Sequence, residues 1–304
     1  MRVSNSMISH NLLSHLGQTT ENLLRLQEQM ASGLKINRPS DDPMGAVRAA
    51  AVRSALAEVA QYQKNAEEGK DLLAMTDSAL AEIVELVRQA RDSGLAGVTG
   101  TSDAATREAL ARNVEQMLES IVRAANSDRA GRFLFGGYKT NAAPFSLDQS
   151  DTPPVTYSGD SGAALFEVGR SSTVAVNLAG DQVFNMNGAA EPGLSDLFST
   201  LDSLKDSLLS GDAAQMQTSL DEIDQHLSHL LSLRAEVGAR GQGIELALNR
   251  LSDTEFSLKD SLSRTEDADL AKAVVELQAQ QNIYQATAAI ASVLAQMGLL
   301  EFLR

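Results

Sequence analysis

The sequence predicts a mainly α fold, built from a long antiparallel helical rod and a terminal coiled coil, with a small β-rich inserted domain. Apolar residues recur at alternating spacings of three and four over long stretches in both halves of the chain, as in helices that pack along a seam. Aromatic residues make up only 4% of the 304 residues and Trp is absent, which is typical of chains built from long helices. Between these stretches the composition changes to Gly, Pro and β-branched residues.

The first helix carries an apolar seam that we interpret as an assembly surface. Gly33 is suited to end this helix, and Asp42 followed by Pro43 is suited to begin the next one. We expect residues 1–45 to pair with residues 264–304 as a domain of terminal helices. The N-terminal seam residues are Leu12, Leu16, Leu23, Leu26 and Met30.

Two further helical stretches predict a rod domain of residues 46–140 and 193–263. One seam runs unbroken from Ala55 to Ala90, a Gly-rich turn is predicted at residues 93–102, and Asp103 can cap a third helix. Later, one seam phase runs from Met216 to Leu262. A helix of that length spans roughly 75 Å at about 1.5 Å per residue.

Residues 141–192 predict a β-rich insertion between the helical stretches. Turn signals such as Ser158-Gly159-Asp160 and Gly180-Asp181 separate short runs with the composition of strands. The four candidate strands are residues 154–157, 165–168, 173–178 and 182–185.

The last helix is predicted to be buried in an assembly. Residues 277–300 contain no Asp, Glu, Lys or Arg, but Gln and Asn crowd their first half, which is too polar for a membrane span. The alternative is a helix that caps a globular domain. The C-terminal seam residues are Leu270, Val274, Leu277, Ile283, Ile290, Leu294, Met297, Leu299, Leu300, Phe302 and Leu303. A neutral polar stripe, which we expect to face a partner or an aqueous bore, consists of Gln278, Gln281, Asn282, Gln285, Ser292 and Gln296.

Composition argues against several function classes. A formal net charge of −15 disfavours nucleic-acid binding, and the absence of Cys excludes a disulfide framework and a thiolate site. The first residues lack the apolar core of a secretory signal, so we expect no cleaved signal peptide. We predict no membrane insertion and no cofactor.

Side chains that suggest catalytic or ligand chemistry have simpler interpretations. His226 and His229 are three apart on a helix and are predicted to be a solvated pair rather than metal ligands. The glycines at 94, 97 and 100 lack the preceding strand and following Lys of a phosphate loop. The carboxylate pairs Asp41-Asp42 and Glu266-Asp267 are predicted to cap helix starts. We identify no catalytic or metal-binding residue.

Four separated segments resemble the flagellin superfamily of bacterial flagella. They are SGLKINRPSDDPMGA at 32–46, GRFLFGGYKTNAAPF at 131–145, DADLAKAVVELQAQQNIYQA at 267–286 and LLEFLR at 299–304. Within the superfamily the second and fourth segments are more similar to the hook–filament junction branch than to the filament subunit. The resemblance covers most of the chain, and its motifs occur in the family's order.

The resemblance implies paired terminal helices that form an inner tube, a middle rod and an outer β domain. It also implies copies of the same chain, the first hook-associated protein (hook-associated protein 1), flagellin and a flagellar export chaperone as partners. Export would use the flagellar type III apparatus and place the protein in the extracellular flagellum, with the neutral stripe lining its channel. The alternatives are a flagellin filament subunit, a cytoplasmic coiled-coil scaffold, and an enzyme with its site in the β insertion.

Overall fold

The structure, a computed structural model, describes residues 5–99, 103–148 and 154–302. Its contacts divide the chain into a terminal unit, Met1–Glu58 with Thr254–Arg304, and a middle unit, Val59–Asp253. Helices α2 (Pro43–Val98) and α6 (Ala213–Glu266) contribute residues to both units. The mainly α fold with long helices and a small strand-containing region is therefore as predicted. The division into three domains stays a prediction.

The terminal unit is built on two long helices, α1 (Asn5–Ser32) and α7 (Leu270–Phe302), which pack against each other. The end of α1 meets the start of α7, because Leu34 and Asp267 form an antiparallel β-bridge. The two helices therefore run in opposite directions. Leu26 on α1 and Ala273 on α7 are both 5% exposed.

The middle unit has a continuous hydrophobic core formed by α2, α3 (Ala104–Ala125), α5 (Leu197–Ser210) and α6. Aspartates cap the N-termini of two of these helices. Asp103 accepts from the Thr106 amide at 2.7 Å at the start of α3, as predicted, and Asp196 accepts from the Ser199 amide at 2.9 Å at the start of α5. The predicted seams of α2 and α6 are confirmed by burial. Their fully buried members include Ala66, Leu80, Ile83, Val87, Ile223 and Ile244.

Within its described residues, the β-rich region forms three separate antiparallel hairpins rather than one sheet. Strand β1 (Asp128–Arg129) pairs with β2 (Arg132–Phe133), β3 (Phe145–Leu147) with β4 (Val155–Tyr157), and β5 (Leu165–Gly169) with β6 (Ser172–Ala175). Three of the four candidate strands thus overlap observed strands, and β1, β2 and β3 were not predicted.

The candidate strand at 182–185 is wrong, because the chain there forms the short helix α4 (Gly180–Val183). Phe184 donates its amide to the Gly180 carbonyl at 3.0 Å, and its ring is fully buried. The ring stacks on Phe198 of α5 at 5.0 Å between centroids and meets Phe145 of β3 edge-on at 4.9 Å. Aromatic packing against α5 therefore sets the backbone here, and period-two alternation does not.

Tyr157 joins the hairpins to α4. Its single hydroxyl hydrogen is shared between the carbonyls of Phe135 (3.0 Å) and Asp160 (2.9 Å), and its oxygen accepts from the Gly180 amide at 3.3 Å. Burial raises the pKa of Tyr157 to about 12.

The Gly-rich turn predicted at 93–102 is shorter than expected, since α2 continues to Val98. A Cβ on Gly97 would lie 2.2 Å from the Leu208 side chain, and one on Gly94 would lie 2.9 Å from that of Leu204. These glycines therefore allow α2 and α5 to approach closely, which outweighs their low helix propensity. The third glycine, at position 100, lies outside the described residues.

Candidate assembly surface

Helix α1 directs its predicted seam away from solvent. Leu26 is buried, and the other four seam residues, Leu12, Leu16, Leu23 and Met30, are half-buried. Other large apolar residues of α1 stay exposed: Met7 at 60%, Leu13 at 67% and Leu24 at 61%. One subunit therefore covers only part of the apolar surface of α1.

Helix α7 does not bury the stripe that its sequence suggested. Of the five predicted seam residues whose side chains the structure describes, only Leu277 is half-buried, whereas Leu270, Val274, Ile283 and Ile290 are 45–54% exposed. The residues withdrawn from solvent beside Leu277 are mostly small: Ala273, Thr287, Ala288 and Ala291. The side chains of Leu294, Met297, Leu299, Leu300 and Phe302, and the whole of Leu303, lie outside the described residues. The role of this seam in assembly stays a prediction.

The described part of α7 has three faces, roughly 120° apart at about 100° per residue. One holds Ala273 and Leu277 and is covered. The second, which we call the apolar stripe, is exposed and consists of Val275, Ile283, Ile290 and Val293. The third is the neutral polar stripe, whose members Gln278, Gln281, Asn282, Gln285 and Ser292 are all exposed; the side chain of Gln296 lies outside the described residues. An exposed apolar stripe next to a neutral polar one is suited to a helix that further subunits cover.

The loops that precede α2 and α7 are held by each other's main chain. The Lys35 amide donates to the Glu266 carbonyl at 2.7 Å, and the Ala268 amide donates to the Gly33 carbonyl at 2.8 Å. Gly33 has a φ of +75°, which permits the sharp exit from α1. We call residues 33–35 with 266–268 the clasp.

The capping role predicted for Glu266 is wrong, because Glu266 is the last residue of α6. Asp269 instead accepts from the Lys272 amide at 3.1 Å at the start of α7. Asp42 accepts from Gly45 at 2.9 Å and caps α2 as predicted. Asp41 differs, since its carboxylate accepts from the amides of Asn37 and Arg38 and stabilises the preceding turn.

The prediction of a solvated histidine pair is wrong for His226. Its ring is only 1% exposed and its Nε2 lies 3.4 Å from Thr200 Oγ1, because α5 covers this side of α6. Burial lowers the pKa of His226 to about 4. The His229 ring nitrogen lies 2.8 Å from the Gln182 carbonyl oxygen. Among the described residues no three His, Cys, Asp or Glu side chains group as metal ligands.

The middle unit also contains a cavity of about 360 Å³ between α2 and two hairpins. Apolar side chains, including Leu72, Phe166 and Val176, line most of it. Two of its polar groups are already engaged: Arg129 donates to Asp71 at 3.0 Å, and the Asn177 amide group donates to the Gly162 carbonyl at 2.9 Å. No helix in the described part of the chain is both long and apolar enough to cross a bilayer.

Comparison with known proteins relates both ends of the chain to flagellar proteins. Residues 3–140 match the family model of the bacterial flagellin N-terminal helical region, and residues 220–303 match that of the bacterial flagellin C-terminal helical region. Flagellar hook-associated protein 3 of Salmonella typhimurium is 27% identical over 305 residues, covering 94% of this chain and 95% of that protein. Flagellin of Bacillus subtilis is 26% identical over 303 residues, covering 95% of each chain.

The fold is also found in a solved structure. The flagellar junction protein FlgL from Legionella pneumophila has a TM-score of 0.55 and 18% identity, over 74% of this chain and 99% of that one. These relatives are structural flagellar proteins. The chain therefore belongs to the flagellin superfamily and is similar, over nearly its whole length, to flagellar hook-associated protein 3.

Proposed function

We propose that this chain is a structural protein of the bacterial flagellum, a junction adaptor that joins the hook to the flagellin filament. The observation that carries the proposal is the three-faced helix α7, with Val275, Ile283, Ile290 and Val293 exposed in one apolar stripe. Each such residue returns about 1.5–3 kcal/mol when fully buried, so neighbouring subunits gain by covering the stripe. Similarity to hook-associated protein 3 supports the position of the protein at the junction.

The adaptor associates with components of the hook on one side and of the filament on the other. The specific partners we propose are hook-associated protein 1 towards the hook, flagellin towards the filament, further copies of this chain within its own layer, and an export chaperone. We propose that the type III flagellar apparatus exports it and that it acts outside the cell. The neutral polar stripe supports a position beside the channel, since it offers water hydrogen bonds without fixed charge.

An immunogold experiment on intact flagella distinguishes the alternatives. A gene deletion in the source bacterium is expected to leave hooks without filaments and flagellin in the medium, and a plasmid copy restores attachment. Gold label against this protein, on flagella of cells with the plasmid copy, should be confined to the hook–filament boundary. Label along the whole filament would instead establish the filament-subunit alternative, and label retained in the cytoplasm would establish the scaffold.

The enzyme alternative required a site in the β insertion. In the described residues, the cavity beside the hairpins is mainly apolar, and its Arg129 and Asn177 side chains already hold structural bonds. We propose that the protein has no catalytic activity.

A further inference from the structure

We propose that Arg53 and Glu266 are positioning residues for assembly: their ion pair locks the clasp, and the clasp sets how α1 and α7 are presented to neighbouring subunits. The inference deepens the proposed function and rests on it for its assembly consequence. Its structural part, the dependence of the clasp on the ion pair, is independent of that function.

The clasp joins two loops that are far apart in sequence. Besides the two main-chain hydrogen bonds, Lys35 Nζ donates to the Arg264 carbonyl at 3.1 Å, and Gln29 Nε2 on α1 donates to the Lys35 carbonyl at 3.0 Å. The exit of α1 is therefore attached to the end of α6, immediately before α7 begins. Any opening of the clasp releases the end of α1 and the start of α7 together.

Glu266 is unusual among the acidic residues of this unit because its side chain is only 8% exposed. Arg53 of α2 donates to Glu266 Oε2 at 2.6 Å, and the Arg53 side chain is 55% exposed. Among the described residues Arg53 is the only ion-pair partner of this carboxylate. A carboxylate so far out of water is stable there only while it is paired.

Glu266 takes part in both the main-chain hydrogen bonds of the clasp and the ion pair. The Glu266 carbonyl accepts from the Lys35 amide, while its carboxylate is held by Arg53. Losing the pair favours movement of the carboxylate towards water, and that movement carries the carbonyl away from Lys35. The ion pair is therefore coupled to the main-chain bonds and differs from the exposed helix pairs, such as Arg112 with Glu108.

Hydrogen–deuterium exchange on the isolated full-length chain tests the structural part. We compare Arg53→Ala, Glu266→Gln, the double variant, and Arg48→Ala as the control, since Arg48 is an exposed arginine on the same helix. In Arg53→Ala, peptides covering residues 33–36 and 266–269 should exchange about 10- to 100-fold faster, as expected for loss of a charge-assisted bond. Peptides from the middle-unit core and the control should be unchanged.

The double variant distinguishes the electrostatic effect of the ion pair on the clasp from the effect of losing packing contacts. Arg53→Ala with Glu266→Gln should exchange more slowly at the clasp than Arg53→Ala alone, because a neutral amide replaces the unpaired buried carboxylate. Additive effects, or no change in exchange for Arg53→Ala, would overturn the inference.

Filament attachment in cells tests the positioning role. Arg53→Ala should reduce the fraction of hooks that carry a filament, and Arg48→Ala should not. The double variant should recover part of the loss. Faster exchange together with normal attachment would overturn the positioning role and leave the proposed function intact. If the wild-type chain itself does not support attachment, the proposed function fails, and the exchange result still decides whether the ion pair locks the clasp.

Discussion

The buried environment of His226 should make the stability of the folded chain depend on pH. It lies on α6 under α5, 1% exposed, with Thr200 Oγ1 at 3.4 Å from its ring. Asp196 and His229 also act on its charge, the first favouring and the second opposing protonation. Desolvation outweighs both and lowers the pKa of His226 from 6.5 to about 4.

The first prediction follows from that difference. The unfolded chain binds a proton near pH 6.5 and the folded chain only near pH 4, so the contribution of His226 is complete above pH 6.5 and is lost as the pH falls through 4. Between pH 7 and pH 4 wild type should lose about 3 kcal/mol more unfolding free energy than His226→Gln. Urea unfolding at both pH values measures this, with His15→Gln as the control, since His15 is an exposed histidine on α1. Equal losses in wild type and His226→Gln would contradict the prediction.

Asn185 shows what residue patterns do not reveal. It is fully buried with a φ of +55°, and its side chain accepts from the amides of Ala190 and Glu191 and donates to the carbonyls of Glu191 and Leu194. It thereby organises the loop that leads into α5. The sequence interpretation placed it at the end of a strand, because an Asn among apolar residues does not indicate which distant amides will surround it.

At the scale of elements, the long helices were predictable and their ends and contacts were less so. The seam from Ala55 to Ala90 predicted α2 because repeated apolar spacing selects one buried face over many turns. Nothing in that pattern distinguishes a glycine in a turn from Gly97, whose contact Leu208 is on another helix. In α7, both the covered face and the apolar stripe carry apolar residues, so spacing alone does not determine which of the two the partner α1 covers.

The second prediction compares glycines in two long helices. Gly243 of α6 has nothing within 4 Å of where a Cβ would be, so Gly243→Ala should raise the unfolding free energy by about 0.5–1 kcal/mol. Gly97→Ala should lower it by about 1–3 kcal/mol, because the Leu208 side chain must move out of a packed core. Denaturant unfolding of the two variants measures both. A shift of the same sign for both would show that packing does not distinguish these positions.

At the scale of the whole molecule, two classes of apolar surface coexist. The middle unit buries its seams within one chain, whereas the terminal unit leaves Leu13, Leu24 and the apolar stripe of α7 exposed. The buried seams stabilise the single subunit, whereas the exposed apolar residues have no comparable effect on its stability. Loss of assembly and loss of folding should therefore be separable by substitution.

The third prediction tests that separation with Ile283→Asp and Ile290→Asp combined. These residues are 49% and 54% exposed, so removing their apolar groups should change the melting temperature of the isolated subunit by no more than about 2 °C. In an assembly the two carboxylates would be buried without partners, which is far more costly than losing the apolar contacts. Cells that carry only this variant should have hooks without filaments and flagellin in the medium.

Leu246→Asp is the matched control, since Leu246 is 59% exposed on α6 in the middle unit. It introduces the same charge in place of an exposed aliphatic side chain but lies outside the apolar stripe, so we expect normal filaments. Electron microscopy of flagella and thermal unfolding of each purified subunit give the two readouts. Normal filaments on cells with the Ile283 and Ile290 variant would exclude the stripe from assembly. A large loss of melting temperature would instead show that the stripe stabilises the single subunit.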